Sequence, residues 1–235
     1  MNSKLSNIPS SPAARNLTEI SSFSMYDISE TLDPALYTAC IQNNVSQVET
    51  LAANATPRRW SLILAAATPH GAVDVVAESL KHGADLEDAL YDLPHSKPAE
   101  SVFRFLVEAG AIDVTKWRDI YIEKIGDLLS LAADAGNHSM VRYMLEKGAE
   151  PNRRLDCEGR KTTLACAAWH SDEEMVQLLL QYGARLQESG ALVMAAQEGK
   201  LDMVCMLIAK GADVNEMGCA DFMDERTLKR IGTRK

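Results

Sequence analysis

Residues 162–184 have the sequence TTLACAAWHSDEEMVQLLLQYGA, and this stretch decides the fold. An alanine-rich run comes first, a short polar turn follows, and an apolar run with helical spacing ends at Gly183-Ala184. Paired alanines allow neighbouring helices to approach closely, and the second run supplies bulky core side chains. Gly ends the second helix because it adopts the left-handed conformation without strain.

The same unit recurs along the chain. A Gly-Ala pair follows an apolar helical run at residues 83–84, 110–111, 148–149, 183–184 and 211–212. A leading leucine opens each first run, at Leu36, Leu62, Leu90, Leu129, Leu164 and Leu192. One helix pair cannot bury its own apolar face, so we expect the copies to stack on one another.

This pattern resembles the ankyrin repeat, whose unit begins T-P-L-H-x-A-A and ends G-A-D-x-N. Residues 162–168 match the beginning, and residues 210–215, KGADVN, match the end. The resemblance implies an all-α solenoid of about six stacked helix pairs at residues 32–215, with short β-hairpin or loop fingers. The leucine spacing departs from the family period of about 33 residues. It predicts abbreviated turns after Gly83 and Gly183, and long fingers at residues 111–127 and 151–161.

The two ends of the chain lack this pattern. Residues 1–31 are rich in Ser, Pro and Asn and predict a flexible tail that cannot bury enough apolar surface to fold. Residues 216–235 end in KRIGTRK, which resembles the start of the fourth unit, so we expect a finger or tail that begins a truncated further repeat. A solenoid needs a polar terminal cap. We therefore expect either partial cover of the last pair by this tail, with fraying, or a weak end-to-end dimer instead of a monomer.

Composition excludes several classes of protein. The formal net charge of −9 gives no electrostatic attraction for nucleic acid. No stretch approaches the roughly 20 apolar residues of a membrane span, and no apolar signal segment opens the chain. Five cysteines without a C-x-x-C pair predict neither a zinc site nor a disulfide framework. These features favour a reducing intracellular compartment, cytoplasmic or nuclear.

No pattern demands catalysis. His170-Ser171-Asp172 contains the residue types of a catalytic triad, but adjacent residues on one turn cannot form that geometry. No metalloprotease, phosphate-loop or dinucleotide motif is present in the sequence. We therefore expect no catalytic residue, no cofactor and no metal, and the sequence predicts that the protein is not an enzyme.

The third unit is irregular. Pro94 and Pro98 fall where its first helix belongs, and each removes a helical hydrogen bond. We expect this helix to be short or replaced by a loop, with helix resuming near residues 99–100. One interpretation is tolerated drift of a repeat. The other is a notch at Tyr91, Asp92 and His95 that forms a pocket, which would make the chain a small-molecule binding protein or an unorthodox enzyme.

The resemblance implies that partners bind the concave side, formed by the fingers and the first helices. Trp and Arg are the residue types most enriched at binding hot spots, and the fingers and first helices contain both. The predicted partner-binding residues are Trp117, Arg118, Tyr121, Arg153, Arg154, Arg160, Lys161 and Trp169. The basic second finger favours an acidic or amphipathic segment of another protein, bound by a non-catalytic scaffold or adaptor. The alternatives are that Trp117 packs against its own hairpin and that the arginines are simply solvated.

Overall fold

The computed structural model describes residues 31–90, 93–116, 121–122, 126–153 and 162–214. The predicted tail at residues 1–31, except for Thr31, and the predicted segment at residues 216–235 lie outside this range. Contacts divide the chain into two compact units with a boundary between Asp113 and Val114. Each unit is described by itself.

The first unit is a series of helix–turn–helix pairs. Its helices are α1 (Pro34–Ile41), α2 (Val45–Leu51), α3 (Pro57–Ala67), α4 (Val73–Lys81), α5 (Glu87–Leu90) and α6 (Ala99–Glu108). A single 3₁₀ turn, Thr68–His70, connects α3 to α4. Helix α3 packs against α1, α4 and α5, and α4 also contacts α2 and α6. First helices therefore lie beside first helices, and second beside second.

Two prolines interrupt the third pair. Helix α5 has only four residues, and the chain turns through residues 93–98 before α6 begins at Ala99. This agrees with the helix break that Pro94 and Pro98 predict. The turn is well packed, because Leu93 and Pro94 are buried and the Ser96 hydroxyl donates to the Pro69 carbonyl oxygen at 2.6 Å.

The second unit repeats the arrangement and adds a hairpin. Its elements are β1 (Tyr121–Ile122), β2 (Gly126–Asp127), α7 (Leu128–Asp134), α8 (His138–Glu146), α9 (Thr163–Trp169), α10 (Glu173–Gln181), α11 (Ala191–Gln197) and α12 (Leu201–Ala209). The two strands are antiparallel, with Tyr121 opposite Asp127. This hairpin lies in the first predicted finger. Helix α9 packs between α7 and α11.

The first and second helices of each pair bury side chains of different size. The first helices bury small residues, including Ala65, Ala132, Ala133, Ala167, Ala168 and Ala195. The second helices bury bulky residues at matching positions, such as Val75, Val76, Val102, Phe103, Met140, Val141, Met175, Val176, Met203 and Val204. Each repeat packs the alanines of its first helix against the bulky side chains of its second helix. This arrangement explains why a chain with only 6% aromatic residues has a packed core.

A residue with positive φ lies in five of the turns between paired helices. These residues are Asn43, Gly71, Gly136, Ser171 and Gly199. Aligning the repeats on them corrects one sequence assignment. The counterpart of Leu164 in the second repeat is Leu64, which is fully buried, whereas the predicted Leu62 is only half-buried. Helix α3 has 11 residues where α7, α9 and α11 have seven each, and the surplus lies before Leu64.

Side-chain caps fix where the first helices begin. Asp33, Thr56, Asp127 and Thr162 each accept a hydrogen bond from a backbone N–H in the first turn of α1, α3, α7 and α9. The Thr162 hydroxyl also donates to the Ser189 carbonyl oxygen at 2.8 Å, which ties α9 to the turn before α11. Ser130 and Thr163 hydroxyls lie 2.9 Å apart in the core and connect α7 to α9. The caps therefore also hold adjacent repeats together.

Candidate functional site

The structure describes three of the eight predicted partner-binding residues. Arg153 is half-buried just after α8, and Trp169 is the half-exposed last residue of α9. The backbone of Tyr121 lies in β1. The others, Trp117, Arg118, Arg154, Arg160 and Lys161, lie outside the described residues. The predicted surface can therefore be examined at the two ends of α9.

A buried carboxylate lies at the base of the first finger. Asp127 is 1% exposed, and its Oδ1 accepts a hydrogen bond from the Ser130 N–H at 2.8 Å. Burial raises the pKa of the Asp127 carboxyl above its ordinary value, and the Ser130 hydrogen bonds and the positive charge of Arg153 oppose that shift only in part. Arg153 therefore has an electrostatic role inside the fold as well as a predicted role at the surface.

A small cavity opens beside the N-terminus of α9. Its volume is about 70 Å³, and it is lined by Pro151, Asn152, Thr162, Leu164, Arg185, Gln187, Glu188 and Ser189. The Asn152 side chain shapes this region, since its Oδ1 accepts from the Arg185 N–H at 2.6 Å and its Nδ2 donates to the Gly183 carbonyl oxygen at 2.9 Å. The exposed Arg185 side chain adds a cation that the sequence interpretation did not single out.

Trp169 lies at the other end of the same helix. The residues of α9 from Thr163 to Ala168 are all buried, and Trp169 alone is half-exposed. A seven-residue helix is about 10 Å long. The structure thus places Trp169 and the cavity about one helix length apart, so any binding surface that uses both runs along α9.

Two histidines join the fourth and fifth helix pairs. The His170 Nε2 lies 2.9 Å from Asp134 Oδ1, and the His138 Nε2 lies 3.0 Å from the Asp172 carboxylate. Asp172 also caps α10 by accepting from the Met175 N–H at 2.9 Å. The triad-like residues 170–172 are thus used in two bridges between repeats. Sequence reasoning missed these pairs because their partners are 36 and 34 residues apart.

The proposed notch in the third repeat is only partly described. Tyr91 and Asp92 lie outside the described residues, and His95 is exposed beside the buried Leu93 and Pro94. His95 lines neither the cavity beside α9 nor a groove formed by Thr31, Leu32, Thr56, Arg58, Arg59 and Leu62. A ligand pocket at Tyr91, Asp92 and His95 stays a prediction.

The sequence matches a family model described as ankyrin repeats (3 copies) over residues 96–189 and 129–218, which together exceed half of the chain. The chain belongs to the ankyrin-repeat family. This confirms the family and the all-α repeat fold predicted from the Gly-Ala anchors. Ankyrin repeats generally mediate protein–protein interactions, and the family is typically non-catalytic.

Solved ankyrin-repeat structures resemble this chain in fold. The human ASB11 ankyrin repeat domain matches with a TM-score of 0.62 at 18% identity, covering 87% of this chain and 98% of that one. The ankyrin repeat domain of Bcl-3 matches with a TM-score of 0.59 at 22% identity, covering 86% and 98%. A search of curated protein sequences finds no match. These comparisons establish the fold.

The described part of the ankyrin-repeat chain holds no group of three or more His, Cys, Asp or Glu side chains placed to bind a metal ion. None of its described helices has the length and apolar character needed to cross a membrane. The described groups near the ends of α9 are the Trp169 ring, the Arg153 and Arg185 side chains and a small cavity.

Proposed function

We propose that this ankyrin-repeat protein is a non-catalytic scaffold that binds an acidic or amphipathic segment of another protein along α9. The observation that supports this most is Trp169, a large aromatic side chain left half-exposed on a helix whose other residues are buried. Tryptophan is among the residue types most enriched at the hot spots of protein interfaces. Arg153 and Arg185 at the other end of α9 supply the positive charge that would face an acidic segment.

Peptide selection on the full-length protein tests this proposal. Peptides from a random display library are selected, and their affinities for Trp169→Ala and Arg153→Ala variants are measured by fluorescence anisotropy. Loss of a central aromatic anchor is expected to weaken binding by about tenfold or more. Tyr37→Ala, at a half-buried aromatic residue on α1 in the other unit, is the control for Trp169→Ala, and Arg142→Ala, at an exposed arginine on α8, is the control for Arg153→Ala. If Trp169→Ala and Arg153→Ala bind every selected peptide as the wild type does, the surface is wrongly assigned.

The proposal includes a reducing compartment, cytoplasmic or nuclear. Cys40, Cys166 and Cys205 are buried and form no disulfide, which supports an environment where thiols persist. Burial raises the pKa of the Cys40 thiol to about 12, so this thiol stays protonated and unreactive. Fluorescence microscopy of the tagged full-length chain in its own cells checks the compartment.

We also propose that the protein is a monomer or a weak end-to-end dimer formed through the last helix pair. Met206 and Ile208 of α12 are only half-buried, and Val214 is 38% exposed. Light scattering over a range of concentrations tests this. A Val214→Lys variant should shift any dimer to monomer, and an unchanged dimer would show that another face associates.

A further inference from the structure

A second groove lies in the first unit, beside the N-terminal part of α3. Helix α3 is four residues longer than α7, α9 or α11. With Leu64 matched to Leu164, the extra residues precede Leu64 and include the buried Trp60, which stacks on His82 with ring centroids 4.1 Å apart. Arg58 and Arg59 are exposed and Leu62 is half-buried on this added stretch. Trp60 contributes to the core, whereas the exposed edge formed by Arg58 and Arg59 does not and is a candidate for binding.

The groove combines an apolar wall with positive charge. It has a volume of about 240 Å³ and is lined by Thr31, Leu32, Thr56, Arg58, Arg59 and Leu62. Leu32 is 3% exposed, and Leu62 lies one turn after Arg58 on the same side of the helix. Among the described residues, no carboxylate forms an ion pair with either guanidinium.

The position of these arginines is unfavourable for the helix alone. They occupy the second and third residues of α3, next to the positive end of its dipole, where acidic residues are preferred. Four of the other long helices follow the preference, with Asp74 in α4, Glu100 in α6, Glu173 in α10 and Asp202 in α12 in the first turn. Stability therefore does not explain Arg58 and Arg59, whereas binding of a negatively charged partner does.

We propose that this groove binds a peptide segment that carries two acidic residues beside a large apolar side chain. Consecutive helix residues point about 100° apart, so Arg58 and Arg59 present two guanidinium groups in different directions, an arrangement that fits two separate acidic groups. The apolar side chain would rest against Leu32 and Leu62. This site shares no residue with the surface proposed along α9.

The test uses peptides selected by display on the full-length protein, with affinities measured by fluorescence anisotropy. We expect a class of peptides with paired acidic residues and an apolar neighbour. Arg58→Gln combined with Arg59→Gln should weaken their binding by about tenfold or more, since charge-assisted hydrogen bonds are lost. Arg142→Gln, an exposed arginine on α8, is the matched control and should bind as the wild type does. Leu62→Ala should weaken the same peptides without changing their salt dependence.

Stability measurements show whether a loss of peptide binding could come from unfolding of the variant. Because the double glutamine variant removes two cations from the positive end of α3, it should unfold at the same or a higher urea concentration than the wild type. Trp169→Ala should leave the affinity of these peptides unchanged, so failure of the α9 surface and failure of this groove are separate results.

Three outcomes would overturn the proposal. Selected peptides could bind the double glutamine variant as tightly as the wild type. Inorganic phosphate could compete as well as the acidic peptides, which would indicate a simple anion site. The protein could self-associate in light scattering and become monomeric in the double variant, which would make a second copy of the chain the occupant.

Discussion

Single residues with positive φ differ in how well their side chains suit the turn. Asn43 and Ser171 have φ values of 55° and 59°, in turns where other repeats have glycine. The Asn43 side chain is fully used, since its Nδ2 donates to Asp74 Oδ2 at 2.8 Å and its Oδ1 accepts from the Val75 N–H at 3.0 Å. The Ser171 Oγ is buried without a hydrogen-bond partner. The side chain at this turn position therefore has hydrogen-bond partners in the first repeat, whereas in the fifth repeat its hydroxyl is buried without one.

Replacing Ser171 by glycine should stabilise the protein. The change removes the left-handed strain of a residue with a Cβ and an unsatisfied buried hydroxyl, and we expect a gain of about 1 kcal/mol after the entropy cost of glycine. Asn43→Gly should instead cost about 1–2 kcal/mol, because two hydrogen bonds to α4 are lost. Urea unfolding of both variants measures these changes. Equal effects of the two substitutions would contradict the explanation.

The buried carboxyl of Asp127 should make stability depend on pH. Burial raises its folded-state pKa above the ordinary value of 3.8, so the folded state holds the proton more tightly than the unfolded state does. Relative to an Asp127→Asn variant, the wild type should therefore gain stability as pH falls through the raised pKa towards 3.8. Asparagine keeps an oxygen that caps α7. Urea titrations of both proteins at several pH values check this, and a wild-type advantage that grows with rising pH would refute it.

At the scale of elements, the sequence predicted the repeats better than their register. Gly-Ala anchors end the second helices in sequence and structure alike, because glycine is the least strained residue at that cap. The sequence pattern gives Leu62 as the leading leucine of the second repeat, but α3 carries an extra turn and Leu64 takes that place. A local pattern cannot reveal such an offset, because only the neighbouring helix determines which leucine is buried.

The turn between α3 and α4 packs tightly against the irregular third repeat. A Cβ on Gly71 would lie 2.6 Å from the Pro98 carbonyl oxygen, whereas a Cβ on Gly136 would meet nothing within 4 Å. Both glycines have positive φ, 72° and 66°. The two turns therefore share a backbone conformation and differ in the space available.

Alanine substitution at Gly71 and Gly136 distinguishes the cost of backbone strain from the cost of a steric clash. Gly136→Ala should cost about 1 kcal/mol from backbone strain alone. Gly71→Ala adds a clash with backbone and should cost about 2–4 kcal/mol. Both values come from urea unfolding. Equal costs would mean that the loop at residues 93–98 can move away from the added methyl group without a loss of free energy. The loop would then be less firmly packed than its contacts indicate.

At the scale of the whole molecule, stability in a repeat protein is a sum over helix pairs and the contacts between neighbours. Helix α10 lies in a pair whose first helix has a neighbour on each side, α7 and α11. Among the described residues, α12 belongs to the last pair. The cavity beside α9 also depends on contacts between neighbouring repeats. The repeats themselves are visible in the sequence. Asn152, Arg185 and Thr162 meet at one cavity only because the repeats stack, so residue spacing could not predict that they would.

Hydrogen exchange should show that the last described helix pair is less stable than the pair that contains α10. Amides of α12, residues 203–209, should exchange faster than amides of α10, residues 175–181, because a terminal pair opens without breaking contacts on a second side. Mass spectrometry of peptic fragments from full-length protein measures both. Equal protection would show that residues beyond 214 cover α12 as completely as a further repeat would.

The two histidine–aspartate bridges also bear on how such an array can change in evolution. Aligned on Ser171 and Gly199, Glu198 corresponds to His170 and Lys200 to Asp172. Excision of the fifth helix pair would bring Glu198 to face Asp134 and Lys200 to face His138. One bridge would become two opposed carboxylates and the other an ammonium beside an imidazole. Loss of this repeat by recombination is thus disfavoured, because its neighbours are complementary to it and not to each other.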